Sequence, residues 1–311
     1  MWIAILLTSL AAWGVLFVVP LRMGCVPKCV PRRPVPWGMI DVFVIFLLHA
    51  AIPTFCCDVI HDNGLFLWTA PEPEIVSASE SDAERDESDS SGSEQKARKH
   101  PALRVIGALD GGAGLWIVLL VVIAIKPIQE EFLYRLVLQG AIEKYERMLR
   151  HPIPLGRFGA RGLLSISMTA FYFASVHVRS PEKEFDVALG FQGIAAMFVA
   201  MPVVLIVCIA YLALRGAKLK DFGVQPDRIL SDVRTGFLTF LLIACPVYGL
   251  QGSLDKIFAG PVIDPFTLFP FALVLGFLYF RTHRIVPSIV LHMSLNATSV
   301  ALLMWSLYAR S

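Results

Sequence analysis

Apolar windows of 18 or more residues recur along this chain, and no other feature restricts its fold as much. About 20 consecutive apolar residues in a helix match the roughly 30 Å hydrocarbon thickness of a bilayer. Lipid offers no partner to backbone N–H and C=O groups, so a spanning segment must satisfy its own hydrogen bonds. Of the 311 residues, 56% are hydrophobic and 17% charged, against about 45–50% and about 25% in soluble domains. The expected fold class is therefore all-α and polytopic, with about eight transmembrane helices, at 2–21, 37–57, 114–142, 163–178, 187–214, 233–250, 266–280 and 285–308.

Charge placement organises these spans. The net charge of +2 is carried by loops, and no basic patch interleaved with aromatics points to nucleic acid. Arg22, Lys28, Arg32 and Arg33 follow the first span; Lys144, Arg147, Arg150, Arg157 and Arg161 follow the third. Arg215, Lys218, Lys220 and Arg228 follow the fifth, and Arg281 and Arg284 the seventh. All four loops fall on one side of an eight-span alternation, which by the excess of Lys and Arg in cytoplasmic loops is the cytoplasmic side. Residues 71–100, rich in Ser, Asp and Glu, are too polar to build a core and read as a disordered linker. Three regions result: two N-terminal spans in 1–70, the linker 71–100, and a six-helix membrane domain in 101–311.

The N-terminus lacks the basic n-region of a signal peptide and reads as a retained first span. Cys25 and Cys29 have the spacing of half a zinc site, but no second pair lies near them. Cys208 and Cys245 sit in apolar runs and read as small packing residues.

Against this background the segment IQEEFLYRLVLQ, residues 128–139, stands out. Ionisable side chains inside a membrane cost several kcal/mol and usually serve function. On a helix Glu131 and Arg135 are i,i+4 and share a face, which permits an ion pair. Glu130 is turned about 100° from Glu131, so one carboxylate can be held by the arginine while its neighbour stays free for chemistry. The plain alternative is an interfacial helix whose charges snorkel to water. Two further pairs are spaced by one helical turn: Phe173 with His177, and His292 with Asn296. A histidine ending an apolar stretch is commonly a packing residue, and His292 with Asn296 can equally be polar glue between helices. Read chemically, the imidazole and amide of His292 and Asn296 can both donate toward a common point.

Depth decides whether these residues can meet. A third span ending at Lys126 leaves Glu130 at the inner rim, away from His177. With the third span at 114–142, a rise of about 1.5 Å per residue puts Glu130 roughly 20 Å above Glu143 and His177 roughly 24 Å beyond Arg161. The two then share a depth, with a possible kink at Pro127. His292 lies only roughly 12 Å beyond Arg284, so it must reach upward or sit on a broken helix. A carboxylate, two histidines and an asparagine in an intramembrane polar cavity suit water-dependent acyl chemistry.

In that order, Glu-Glu-x3-Arg, Phe-x3-His and His-x3-Asn resemble the three motifs of the CAAX protease and bacteriocin-processing (CPBP) family of intramembrane proteases. The likeness spans 125–300, and LVLGFLYFRTHRIVPSIVLHMSLN resembles the approach to the last motif. It implies a membrane endopeptidase, of the type that trims prenylated CAAX proteins, acting on a membrane-associated protein or peptide. Glu130 would activate water with help from His177, His292 and Asn296 would position the oxyanion, and Glu131, Arg135 and Phe173 would support them. The family has been described both as metal-dependent and as glutamate-type. A metal-free site is the expectation, with zinc held by Glu130, His177 and His292 as the alternative. The interval between His177 and His292 is longer than the usual layout, which reads as an insertion of two spans between the second and third motifs. A non-catalytic immunity or scaffold protein is the second functional reading. A transporter using Glu130, Glu131 and Arg135 as a relay is the third, though no internal repeat supports it. The expected location is a bacterial cell membrane, or an endoplasmic-reticulum-like one in a eukaryote.

Overall fold

The computed structural model describes residues 1–22, 34–63, 112–148, 162–177, 187–257 and 263–308, together with Val105, Pro154–Leu155 and Phe158–Gly159. The acidic linker, Cys25, Cys29 and much of the basic loops lie outside the described residues. Eight helices fall where eight spans are expected: α1 (Trp2–Arg22), α2 (Met39–Asp62), α3 (112–148), α4 (Leu163–Ser175), α5 (Val187–Leu214), α6 (Ile229–Ile257), α7 (Ile263–Thr282) and α8 (Val286–Tyr308). Six of them are long and apolar enough to cross a membrane; α4 and the apolar part of α1, Trp2–Leu16, are shorter. The chain is an integral multi-pass membrane protein.

Helix α3 is the centre of the bundle. It packs against α2, α4, α5, α7 and α8, which is why every residue from Glu131 to Gln139 is buried. Its 37 residues would extend about 55 Å, well beyond the hydrocarbon layer. The helix is continuous but changes register four times. Gly112–Leu120, Lys126–Glu130 and Gly140–Met148 are α-helical, while Val121–Ile125 and Glu131–Gln139 are π-helical. Pro127, the expected kink, lies in the short α turn just after the first π segment. Trp37, fully buried at the mouth of α2, donates from Nε1 to the Val137 carbonyl at 3.1 Å.

The remaining helices pair around α3: α1 on α6, α2 on α5, α4 on α7 and α8 on α6. Polar contacts set their heights. Asp41 of α2 accepts from Tyr211 at 2.7 Å and Arg215 at 2.8 Å on α5. Glu146 of α3 accepts from the Gly162 N–H at 2.7 Å and the Ser165 N–H at 3.2 Å, so a carboxylate caps the start of α4. Gly236 lets α6 close on α8, since a Cβ there would lie 2.5 Å from the Pro287 carbonyl. Farther along, Tyr248 donates to the Leu295 carbonyl at 2.8 Å.

Two depth expectations change. At 13 residues, α4 is about 20 Å long, shorter than the roughly 30 Å hydrocarbon layer; it presents His177, half-buried, just beyond its C-terminal end. His292 needs no broken helix, because α8 is unbroken. Arg284, assumed to mark the rim, is paired with another helix: its Nη2 lies 3.0 Å from Asp232 Oδ1, with the side chains 16% and 0% exposed.

Candidate active site

The site is built where α3 changes from α to π register, between Glu130 and Glu131. π-turns inside α-helices are frequent at functional sites. Glu130 closes the α turn that begins at Lys126, and Glu131 opens the nine-residue π segment. The two carboxylates diverge, as the residue spacing predicts. Glu130, 12% exposed, faces both histidines; Glu131 and Arg135, 0% exposed, form an interior ion pair at 3.4 Å between Oε2 and Nε.

Each histidine is oriented by its own Nδ1. That of His177 lies 2.7 Å from the Phe173 carbonyl. A carbonyl only accepts, so Nδ1 carries the hydrogen and Nε2 is turned to Glu130 Oε1, 3.8 Å away. His292 Nδ1 lies 3.0 Å from Glu131 Oε1, and its Nε2 lies 3.7 Å from Glu130 Oε2. Glu131 therefore holds two partners at once, the imidazole with one oxygen and the guanidinium with the other. Both Nε2 atoms stand too far from the Glu130 oxygens for direct hydrogen bonds.

Phe173 carries the aromatic scaffold. Its buried ring lies 4.6 Å from the His177 ring, 6.0 Å from the His292 ring and 5.5 Å from the Arg135 guanidinium carbon. Phe271 adds an edge contact to His292 at 5.4 Å. The Phe-x3-His spacing thus serves two purposes: the carbonyl fixes the tautomer, and the ring packs against both histidines and the arginine.

The structure brings Glu130, His177 and His292 together, with Glu131, Arg135 and Phe173 behind them. Asn296 goes elsewhere. One turn beyond His292, its Nδ2 donates to the Val122 carbonyl of α3 at 2.9 Å. Lys126 is an addition: Nζ lies 3.5 Å from Glu130 Oε1, on a side chain 48% exposed. The same i,i+4 rule that pairs Glu131 with Arg135 contains this contact. Gln139, fully buried and one further step along the stripe, donates to the Gly276 carbonyl of α7 at 2.9 Å. Gly276 is small for a reason: a Cβ there would lie 3.2 Å from Gln139 Oε1 and 3.4 Å from Arg135 Nη1.

Among the described residues, no group of three His, Cys, Asp or Glu side chains is arranged to hold a metal ion. Glu130, His177 and His292, the ligands of the zinc alternative, do not form such a group.

Fold and site together define a polytopic helical membrane protein with a carboxylate and two histidines converging inside the bundle. The family described as type II CAAX prenyl endopeptidase Rce1-like matches residues 112–219 and 229–298. The chain belongs to that family, which is a protease family acting on protein substrates. The match includes all three motifs and runs through most of the long interval between His177 and His292. No curated protein and no solved structure matches the chain.

Proposed function

We propose that this protein is an intramembrane endopeptidase that hydrolyses a peptide bond of a prenylated or otherwise membrane-associated protein, using water activated by Glu130. One observation carries the reading: residues from three helices, far apart in sequence, converge on a single carboxylate of low exposure. Glu130 and the neutral form of His177 present two acceptors across 3.8 Å. A water molecule donating one hydrogen to each satisfies both and turns its lone pairs toward a substrate carbonyl.

In the reaction, the water oxygen bonds to the carbonyl carbon as its proton passes to Glu130. The carbonyl π electrons move to oxygen, giving a tetrahedral oxyanion. His292 is equipped to stabilise that charge: as an imidazolium it donates Nδ1–H to Glu131 and Nε2–H to the oxyanion. Arg135 holds Glu131 in place for that role, and Phe173 holds the imidazoles. The Asn296 amide has two N–H groups; the one not bound to Val122 supplies a second oxyanion donor. Collapse of the intermediate breaks the C–N bond, and the amine leaves with the proton held by Glu130.

The test uses the full chain in liposomes with a farnesylated peptide ending in a CAAX sequence. Mass spectrometry should find the terminal tripeptide and the shortened prenyl peptide with the wild type and neither with Glu130→Gln, provided the variant keeps its helical circular dichroism. Equal cleavage by the folded Glu130→Gln protein would overturn the assignment.

A further inference from the structure

Pro127 lies inside a continuous helix and has no N–H to give. In the preceding π segment the Lys126 N–H bonds to the Val121 carbonyl, an i→i−5 step. The next donor in that register belongs to position 127 and would serve the Val122 carbonyl; there it is proline. Lys126, which would serve Val122 in α register, is committed one residue earlier. The π turn and the proline together therefore leave the Val122 carbonyl without its backbone donor, in an apolar stretch where an unmet carbonyl is costly. Asn296 Nδ2 fills that position from another helix, at 2.9 Å.

We infer that Asn296 is a positioning residue: its side chain replaces the N–H that Pro127 lacks and thereby locks the register of Lys126–Glu130 against α8. The consequence for the site follows from spacing. Glu130 is three residues beyond Pro127, and His292 is one turn before Asn296 on α8. The strap thus joins the same two helices that Glu130 and His292 join, one step to the side of the reacting groups. Its partner is a backbone carbonyl and not the substrate, so this role is separate from the oxyanion donor proposed above. Lengthwise slip or rotation of α3 against α8 would open the 3.7 Å contact between Glu130 and His292 Nε2. Misplacement by about 1 Å can cost about a hundredfold in rate.

The discriminating variant is Pro127→Ala, which restores a backbone N–H opposite Val122. Thermal unfolding and CAAX-peptide kinetics are measured for wild type, N296A, P127A and the P127A/N296A double variant in the full chain. Asn296→Ala should lower Tm and reduce kcat by more than about a hundredfold with little change in KM, because it removes both the strap and the oxyanion donor, and only the first of these losses is recoverable through Pro127→Ala. In the double variant Tm should return to that of P127A, and kcat should recover by at least about tenfold relative to N296A. A double variant no better than N296A in both measurements would overturn the strap. Recovery of Tm without kcat would overturn its link to catalysis, leaving a purely structural hydrogen bond. The unfolding arm needs no substrate, so it stands or falls independently of the peptidase reading.

Discussion

Removing one member of the Glu131–Arg135 pair should be far more damaging than removing both. The side chains are fully buried and 3.4 Å apart. Two unit charges at that distance attract by about 5 kcal/mol at an effective dielectric constant of about 20. The desolvation cost of two ions offsets much of that attraction, so the intact pair contributes little net stability. Breaking it is different: Arg135→Met leaves the Glu131 carboxylate buried with only His292 as partner, and Glu131→Gln leaves the guanidinium with no paired anion, only the field of Glu130. Each single change should cost about 3–5 kcal/mol, a factor of a hundred or more in the folding equilibrium. The double substitution Glu131→Gln/Arg135→Met removes both charges while the amide introduced in place of the carboxylate keeps an oxygen for His292 Nδ1–H, and most of the loss should return. The assay is a denaturant or SDS titration of the purified protein, followed by circular dichroism, for all four members of the cycle. Additive single losses, with a coupling below about 0.5 kcal/mol, would refute the claim that these charges depend on each other.

Other expectations follow from packing and from the composition of the site. Gly236→Ala should destabilise the protein by about 1–3 kcal/mol and lower kcat, because its methyl group meets the Pro287 carbonyl at 2.5 Å and pushes α8, with His292, away from α6; thermal unfolding and peptide kinetics read both. Arg284→Met should be costly in the same titration, about 3–5 kcal/mol, since it strands a fully buried Asp232. Exhaustive chelation should leave peptide cleavage unchanged; loss that only added zinc restores would refute metal-free hydrolysis.

Much of this was legible from residue spacing. Continuous apolar runs located all eight helices, because in lipid the backbone has few alternatives. The i,i+4 rule gave the Glu131–Arg135 pair and turned Glu130 away from it. The missing parts depended on contacts distant in sequence or on register. Arg284 looked like an end-of-span marker because its partner, Asp232, is on another helix. His292 and Asn296 share a face, yet their nearest partners differ: the carboxylates for one and the Val122 carbonyl for the other. Nothing in a residue pattern announces a π turn, so the carbonyl left over at Pro127 was visible only as a proline in a helical run. Lys126 was hidden differently, since an end-of-span lysine and an active-site neighbour have the same sequence signature.

In the proposed mechanism everything depends on Glu130 as the base that activates water for peptide hydrolysis. Mass spectrometry of membrane-protein termini from cells carrying the wild type or Glu130→Gln, at matched levels of folded protein, tests it in the native membrane. A set of shortened C-terminal regions should be present with the wild type and absent with the variant. Identical termini from the two strains, or shortened termini that persist with Glu130→Gln, would contradict it.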